Sequence, residues 1–232
     1  MRFSVVFAIS LAVASLGVAA PVAVADEGSS TSTELTLDVL MAQMSAARGV
    51  VAQFHERKQI ALLAGLLESR GVLYFAPPGR LARFTTEPGY SSLVIDGDTV
   101  RFRDGERGEE FDLLGNPMAR VFVDNFIVLF NGDIERLREL YEAEFSTEDR
   151  TWSLRLTPRS QRLRLAIESI VLTGGSGSGG GGGIRRMELR SSDGDLTTTD
   201  LETLEADRRF TDVELETLFS QRIPLRDTPA TQ

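Results

Sequence analysis

The sequence predicts a mainly β protein with a few helices, organised around an antiparallel sheet that is wet outside and apolar inside. Three observations carry this. Short alternating segments such as "RLARFTT", "SSLVIDG" and "DTVRFRDG" follow one another closely, punctuated by Pro-Gly and Asp-Gly turn signals. Further on, Tyr141, Ala143 and Phe145 alternate with Glu142 and Glu144, and Trp152, Leu154 and Leu156 repeat the pattern in "TWSLRLTP", so these two segments read as neighbouring strands. The stretch before them, about 118–140, has helical periodicity but is apolar nearly all round, which requires burial on more than one side.

The chain opens "MRFSVVFAISLAVASLGVAAPVAVADEG", with Arg2 the sole charge before Asp26. An apolar run ending in Ala23-Val24-Ala25 reads as a secretory leader spanning 1–25 and cleaved after Ala25. Residues 26–34 are then a flexible segment, 35–222 the folded domain and 223–232 a flexible tail. "LTLDVLMAQMSAARG" places Leu37, Leu40, Met41, Met44 and Ala47 at helical spacing, with Gly49 as the stop. "VVAQFHERKQI" follows as a strand with Val50, Ala52 and Phe54 on one face. In "GVLYFAPPGR", Leu73, Tyr74 and Phe75 are consecutive, so both faces of this strand must be covered. The apolar helix divides at Asn131-Gly132, and Asp133 is placed to cap its second half. Phe122, Phe126, Leu129 and Phe130 form one face of the first half, and Val121, Val123, Ile127 and Val128 cover much of the rest. "LAIESIVLTG", "IRRMELRSSDG" and "DLTTTDLETLE" are strands, "GGSGSGGGGG" is a flexible hairpin loop, and "TDVELETLFS" is a short terminal helix.

Composition excludes several functions. The formal net charge is −9, and loss of Arg2 with the leader makes it more negative, so nucleic acid is not a partner. There is no Cys, so an exported form is held by its core alone. His55, the single His, has no nucleophile or second ligand in sequence reach, and no Ser stands in a nucleophile elbow. Glu109-Glu110 and Asp193/Asp195 read as solvated turn residues. The glycine run lacks a following Gly-Lys-Ser/Thr, so it is no phosphate loop. No catalytic residue, metal site or cofactor is predicted, and the chain is not expected to be an enzyme.

The order of elements resembles the LolA family of periplasmic outer-membrane lipoprotein carriers. Gly71, Leu73 and Tyr74 precede a Pro-containing turn at Pro78, and Pro88 is followed by Val94, Asp96 and Gly97, as in the family pattern. Pro77 stands where typical carriers have Arg, and Arg83 where a Trp is common. The segment from 129 to 158 looks more like a related branch linked to aryl-polyene or similar lipid export. The resemblance implies an unclosed antiparallel β-barrel, or half-barrel, covered by lid helices. It implies a periplasmic monomer that shields acyl chains of lipoproteins or other lipids between an inner-membrane donor transporter and an outer-membrane acceptor. The cavity lining expected on this basis is Met44, Phe54, Leu73, Phe75, Phe122, Phe126, Phe130 and Trp152. Alternatives are an accessory carrier for a non-lipoprotein lipid or polyene, and a ligand-free structural adaptor with a filled core.

Overall fold

The computed structural model describes residues 35–220, except 63–64, 106, 116, 150 and 176–182; the side chains of 117, 118, 121, 122, 125 and 126 are also outside the description. The expected leader, N-terminal segment and C-terminal tail therefore lie outside the described residues.

Strands β1 (Val50–Gln59), β2 (Leu66–Ala76), β3 (Arg80–Glu87), β4 (Ser91–Asp96), β5 (Thr99–Asp104) and β6 (Arg107–Asp112) run as successive antiparallel hairpins. So do β7 (Tyr141–Glu148), β8 (Thr151–Pro158), β9 (Ile167–Gly175), β10 (Ile184–Ser191) and β11 (Leu196–Ala206). The two meanders join along β1 and β11, giving one 11-stranded sheet in the order β6-β5-β4-β3-β2-β1-β11-β10-β9-β8-β7. Its end strands β6 and β7 do not pair with each other, so the barrel stays open. Exposed Glu109 and Glu110 on β6, and Glu142, Glu144 and Glu148 on β7, put charge on both edges and oppose edge-to-edge association.

Between the meanders lie α2 (Pro117–Asn131) and α3 (Ile134–Leu140), and α1 (Leu37–Ser45) precedes β1. Asp133 caps α3 as expected, accepting from the Arg136 amide at 2.9 Å. The three helices pack against the inner face of the sheet: Leu40, Met41 and Met44 of α1, Ala119, Val123 and Val128 to Phe130 of α2, and Leu137 of α3 join the same buried cluster as Val50, Ala52, Phe54, Leu73, Phe75, Leu154, Leu156 and Ile170. A one-turn helix, α4 (Gln161–Arg164), links β8 to β9.

The consecutive apolar residues of β2 are explained by a second cluster. Leu73 and Phe75 face inward, while Tyr74 faces outward and packs with Ala76, Ala82, Phe84 and Val94 beneath α5 (Asp212–Phe219). Phe219 is fully buried there, and a capping box at Thr211 and Glu214 starts the helix. The outside of the sheet is thus wet except under this C-terminal helix.

Three expectations need correction. Strand β6 was not expected: "RGEEFD" carries one apolar residue, Phe111, too few to show a period. Gly174 and Gly175 belong to β9, not to the glycine loop, of which residues 176–182 lie outside the described residues. A side chain at 174 would bring its Cβ within 2.4 Å of the Trp152 ring and 2.2 Å of the Gly183 carbonyl, so glycine here serves packing. Asp195 is buried, not solvated: it accepts from the Ala61 amide at 3.0 Å and lies 3.4 Å from Lys58 Nζ.

Candidate functional site

Strand alternation sends one residue in two to the inner face, and on most strands that residue is aliphatic or aromatic. Met44, Phe54, Leu73, Phe75, Phe130 and Trp152 are all buried in the one inner cluster. Phe75 of β2 stacks on Phe130 of α2 at 4.8 Å between centroids, and Phe145 stacks on Trp152 at 6.3 Å. The first contact fastens α2 to the sheet, and the second joins the neighbouring strands β7 and β8. Phe122 and Phe126 belong to α2, but their side chains lie outside the described residues.

The inner face also holds a polar cluster that sequence reasoning missed. Phe54 lies over Gly71, where an added Cβ would come within 2.9 Å of the ring and 1.9 Å of the Phe84 carbonyl. The Arg83 guanidinium sits 4.2 Å from the centroid of the same ring, a cation–π contact. Arg83 donates to Glu56 Oε1 at 3.1 Å, and the other Glu56 oxygen accepts from Thr199 Oγ1 at 3.3 Å. Both side chains of this ion pair are about nine-tenths buried. Register contained the clue. Glu56 is in phase with Val50, Ala52 and Phe54, and Arg83 is in phase with Leu81, so both had to point inward.

Among the described residues, five buried side-chain donors have no hydrogen-bond partner, Arg57 Nε, Arg83 Nε, Tyr141 Oη, Trp152 Nε1 and Arg208 Nε, and those of Arg83, Tyr141 and Trp152 belong to this interior. Burial pushes the Tyr141 phenol well above its ordinary pKa, so the group stays a neutral donor at any physiological pH.

His55 occupies the opposite face of β1, with Nε2 3.0 Å from Glu68 Oε2. It borders an open cavity of about 410 Å³ with Gln53, Arg70, Val72, Asp200 and Glu202. Of the expected lining residues whose side chains are described, only Phe54 touches that cavity. Among the described residues, no group of three His, Cys, Asp or Glu side chains is placed to hold a metal ion. No helix among them is long and apolar enough to cross a membrane.

An open antiparallel half-barrel, apolar on its inner face and covered there by helices, defines the class of this protein. A family model described as "Outer membrane lipoprotein carrier protein LolA-like" matches residues 29–217. The chain belongs to this LolA-like family. Among solved structures, it is similar to a LolA superfamily protein of Nitrosomonas europaea, with 12% identity, a TM-score of 0.41, and coverage of 78% of this chain and 97% of that one. It is also similar to a DUF1329 family protein of Desulfovibrio piger, with 12% identity, a TM-score of 0.44, and coverage of 78% and 96%. Lipoprotein LppX of Mycobacterium tuberculosis matches with 10% identity, a TM-score of 0.39, and coverage of 74% and 97%. No curated protein matches the sequence.

Proposed function

We propose that the chain is an exported, periplasmic, non-enzymatic carrier that shields the acyl chains of a lipoprotein or another lipid between its sheet and helices α1–α3. The observation that carries this reading is the pairing of an open apolar sheet face with helices that are themselves apolar on several sides. Family membership supports it. Each methylene withdrawn from a membrane into water costs about 0.8 kcal/mol, so three acyl chains of roughly fifteen methylenes each resist free transfer by tens of kcal/mol. A carrier removes that barrier by offering an apolar surface in transit. A donor transporter in the inner membrane supplies the work of extraction, and an acceptor at the outer membrane receives the cargo.

Among the described residues the inner face is covered by packed side chains, with Phe130 on Phe75 and α1 in the same cluster as α2. Loading therefore requires the helices to move off the sheet and exchange protein contacts for acyl contacts of similar kind. The closed interior equally suits a ligand-free adaptor, and one experiment separates the two. The protein is expressed with its own leader, purified from the periplasm, and extracted for lipid mass spectrometry. Stoichiometric acyl lipid, together with an N-terminus at Asp26, supports the exported carrier. Protein that stays empty when purified alongside its native membranes rejects it in favour of the adaptor.

A further inference from the structure

The described residues between β1 and β2, namely 60–62 and 65, are not part of the buried interior cluster. From Gln59 to Leu67 the sequence "QIALLAGLL" has no charged residue. Leu62 is 95% exposed, and Leu66 and Leu67 are each more than half exposed. The stem projects beyond the sheet on one side. β1 pairs with β2 as far as Gln59 and Leu66, but β3 pairs with β2 only from Arg70, so Leu66–Ser69 have no neighbour on that side. Leu62, Leu66 and Leu67 together form an exposed hydrophobic surface that water does not favour.

The surroundings of the tip identify what covers it. The Ala61 amide donates to Asp195 in the β10–β11 turn, and Ser192 of that turn donates through Oγ to the Leu165 carbonyl at 2.6 Å. Leu165 is 73% exposed, and these two hydrogen bonds tie its loop and the Ala61 end of the hairpin to the same turn. Beside it, Arg162 and Arg164 of α4 are exposed. Arg164 reaches the Pro158 carbonyl, and the nearby Arg159 is held by the carbonyls of Arg138 and Tyr141. Asp193 is the exposed carboxylate of the intervening turn and works against the arginines. The rim thus combines bare aliphatic side chains with cations, on a chain whose net charge is −9. Leucines that enter an acyl layer, flanked by arginines that meet phosphates, match the chemistry of a lipid bilayer interface.

We propose that this rim is a membrane-docking edge: Leu62, Leu66, Leu67 and Leu165 enter the bilayer interface while Arg162 and Arg164 contact anionic headgroups. One weak apolar anchor plus a small basic patch gives reversible contact. The inference goes beyond the carrier reading and stands on surface residues alone, so it can fail while lipid carriage holds, and the reverse.

The test uses full-chain protein exported and processed by the cell, floated with phosphatidylcholine vesicles and with vesicles that also contain phosphatidylglycerol. Wild type is expected to float with both, more strongly with phosphatidylglycerol. Leu62→Glu is expected to lower partitioning about tenfold on both. Arg162→Gln/Arg164→Gln is expected to remove the preference for phosphatidylglycerol only. Hydrogen exchange gives a local readout, with residues 59–68 slowed by vesicles in wild type. Failure of wild type to float, equal flotation of Leu62→Glu, or unchanged exchange at 59–68 overturns the proposal. A wild-type dimer that Leu62→Glu disperses, without vesicle binding, also overturns it and makes the patch an interface between copies. Leu62 makes no core contact, so unchanged circular dichroism is expected and each result can be read directly.

Discussion

Arg83 is the residue whose burial most needs an explanation. Inside an apolar sheet, a guanidinium is tolerated only because Glu56 neutralises it and the Phe54 ring supports it. Arg83→Met should therefore destabilise the fold by about 3–5 kcal/mol, because Glu56 is left buried without its partner. Glu56→Met should do the same from the other side. The double variant should recover most of the loss, since two apolar side chains replace two charges in an apolar place. Urea denaturation of all four proteins checks this. Single variants within about 0.5 kcal/mol of wild type would show that water already reaches the pair. At this scale, the sequence reading of burial worked where a residue type and its phase agreed. Phe54, Leu73, Phe75 and Trp152 are large, apolar and in register, and all are buried. It failed where type and phase disagreed. Glu56 and Asp195 look like solvent residues, yet strand alternation and a turn amide bring them inside. Whether a charge in an inward position finds a partner depends on residues far along the chain, here Arg83 and Thr199, and no local pattern encodes that.

Among the elements, α2 decides between carrier and adaptor. Its buried residues, Ala119, Val123 and Val128 to Phe130, pack in the core, while Asn131 donates to the Pro78 carbonyl at 3.0 Å and Arg120 pairs with both Asp98 and Asp124. The helix is thus held at its ends by polar contacts that can re-form and along its length by apolar ones that acyl chains can replace. Phe126→Glu tests this. If α2 lifts to admit cargo, the carboxylate finds water in the empty protein, so far-UV circular dichroism stays near native. In the loaded state it is desolvated without a partner, at a cost of several kcal/mol, and binding of a fluorescent lipid falls at least tenfold. If α2 is fixed core, the same change unfolds the domain. A folded variant that binds lipid like wild type removes Phe126 from the proposed lining. The glycine run is expected from its composition to be the opposite kind of element. Deleting Gly177 to Gly182 should change stability by less than about 1 kcal/mol, because closure entropy varies slowly with loop length. A melting temperature several degrees lower would show that the run packs against something. Helices α1, α2, α3 and α5 and the clean hairpins were legible in the sequence because a single period ran through each, whereas the single turn of α4 is too short to show one. β6 was not, because "RGEEFD" is an edge strand stabilised by pairing with β5 and by charge, with little apolar face to betray it.

For the whole molecule, topology puts one seam in charge. Each meander is built from neighbours in sequence, but β1 and β11 come from opposite ends of the folded chain and alone join the two halves of the sheet. Alternation within strands could predict both meanders; it could not predict this pairing, which is non-local and slow to form. Arg48 and Asp207 fasten the end of the seam. Asp207 Oδ1 accepts from the Arg48 amide at 3.1 Å and from its Nε at 2.7 Å, the other carboxylate oxygen accepts from the remaining guanidinium arm, and the Arg208 amide donates to the Gly49 carbonyl at 2.7 Å. The Arg48 side-chain hydrogen bond, followed by its backbone amide, holds the Asp207 carboxyl down at about 2. A carboxyl depressed in the folded state favours folding when ionised. Its contribution is therefore complete above the ordinary aspartate pKa of about 3.9 and disappears as pH falls through about 2. Asp207→Asn keeps an acceptor oxygen but loses the charge. The variant should melt below wild type at pH 7, keep the same gap at pH 5, and lose most of it by pH 2. Other carboxylates titrate over the same interval, so the gap between the two proteins is the quantity to follow, by thermal circular dichroism across that range. A gap that persists unchanged at pH 2 would mean that Asp207 does not act through its charge; backbone strain would not account for it, because at a φ of 64° Asn fits at least as well as Asp. No gap at any pH would mean that strand pairing alone holds the seam, and that the ion pair merely decorates it.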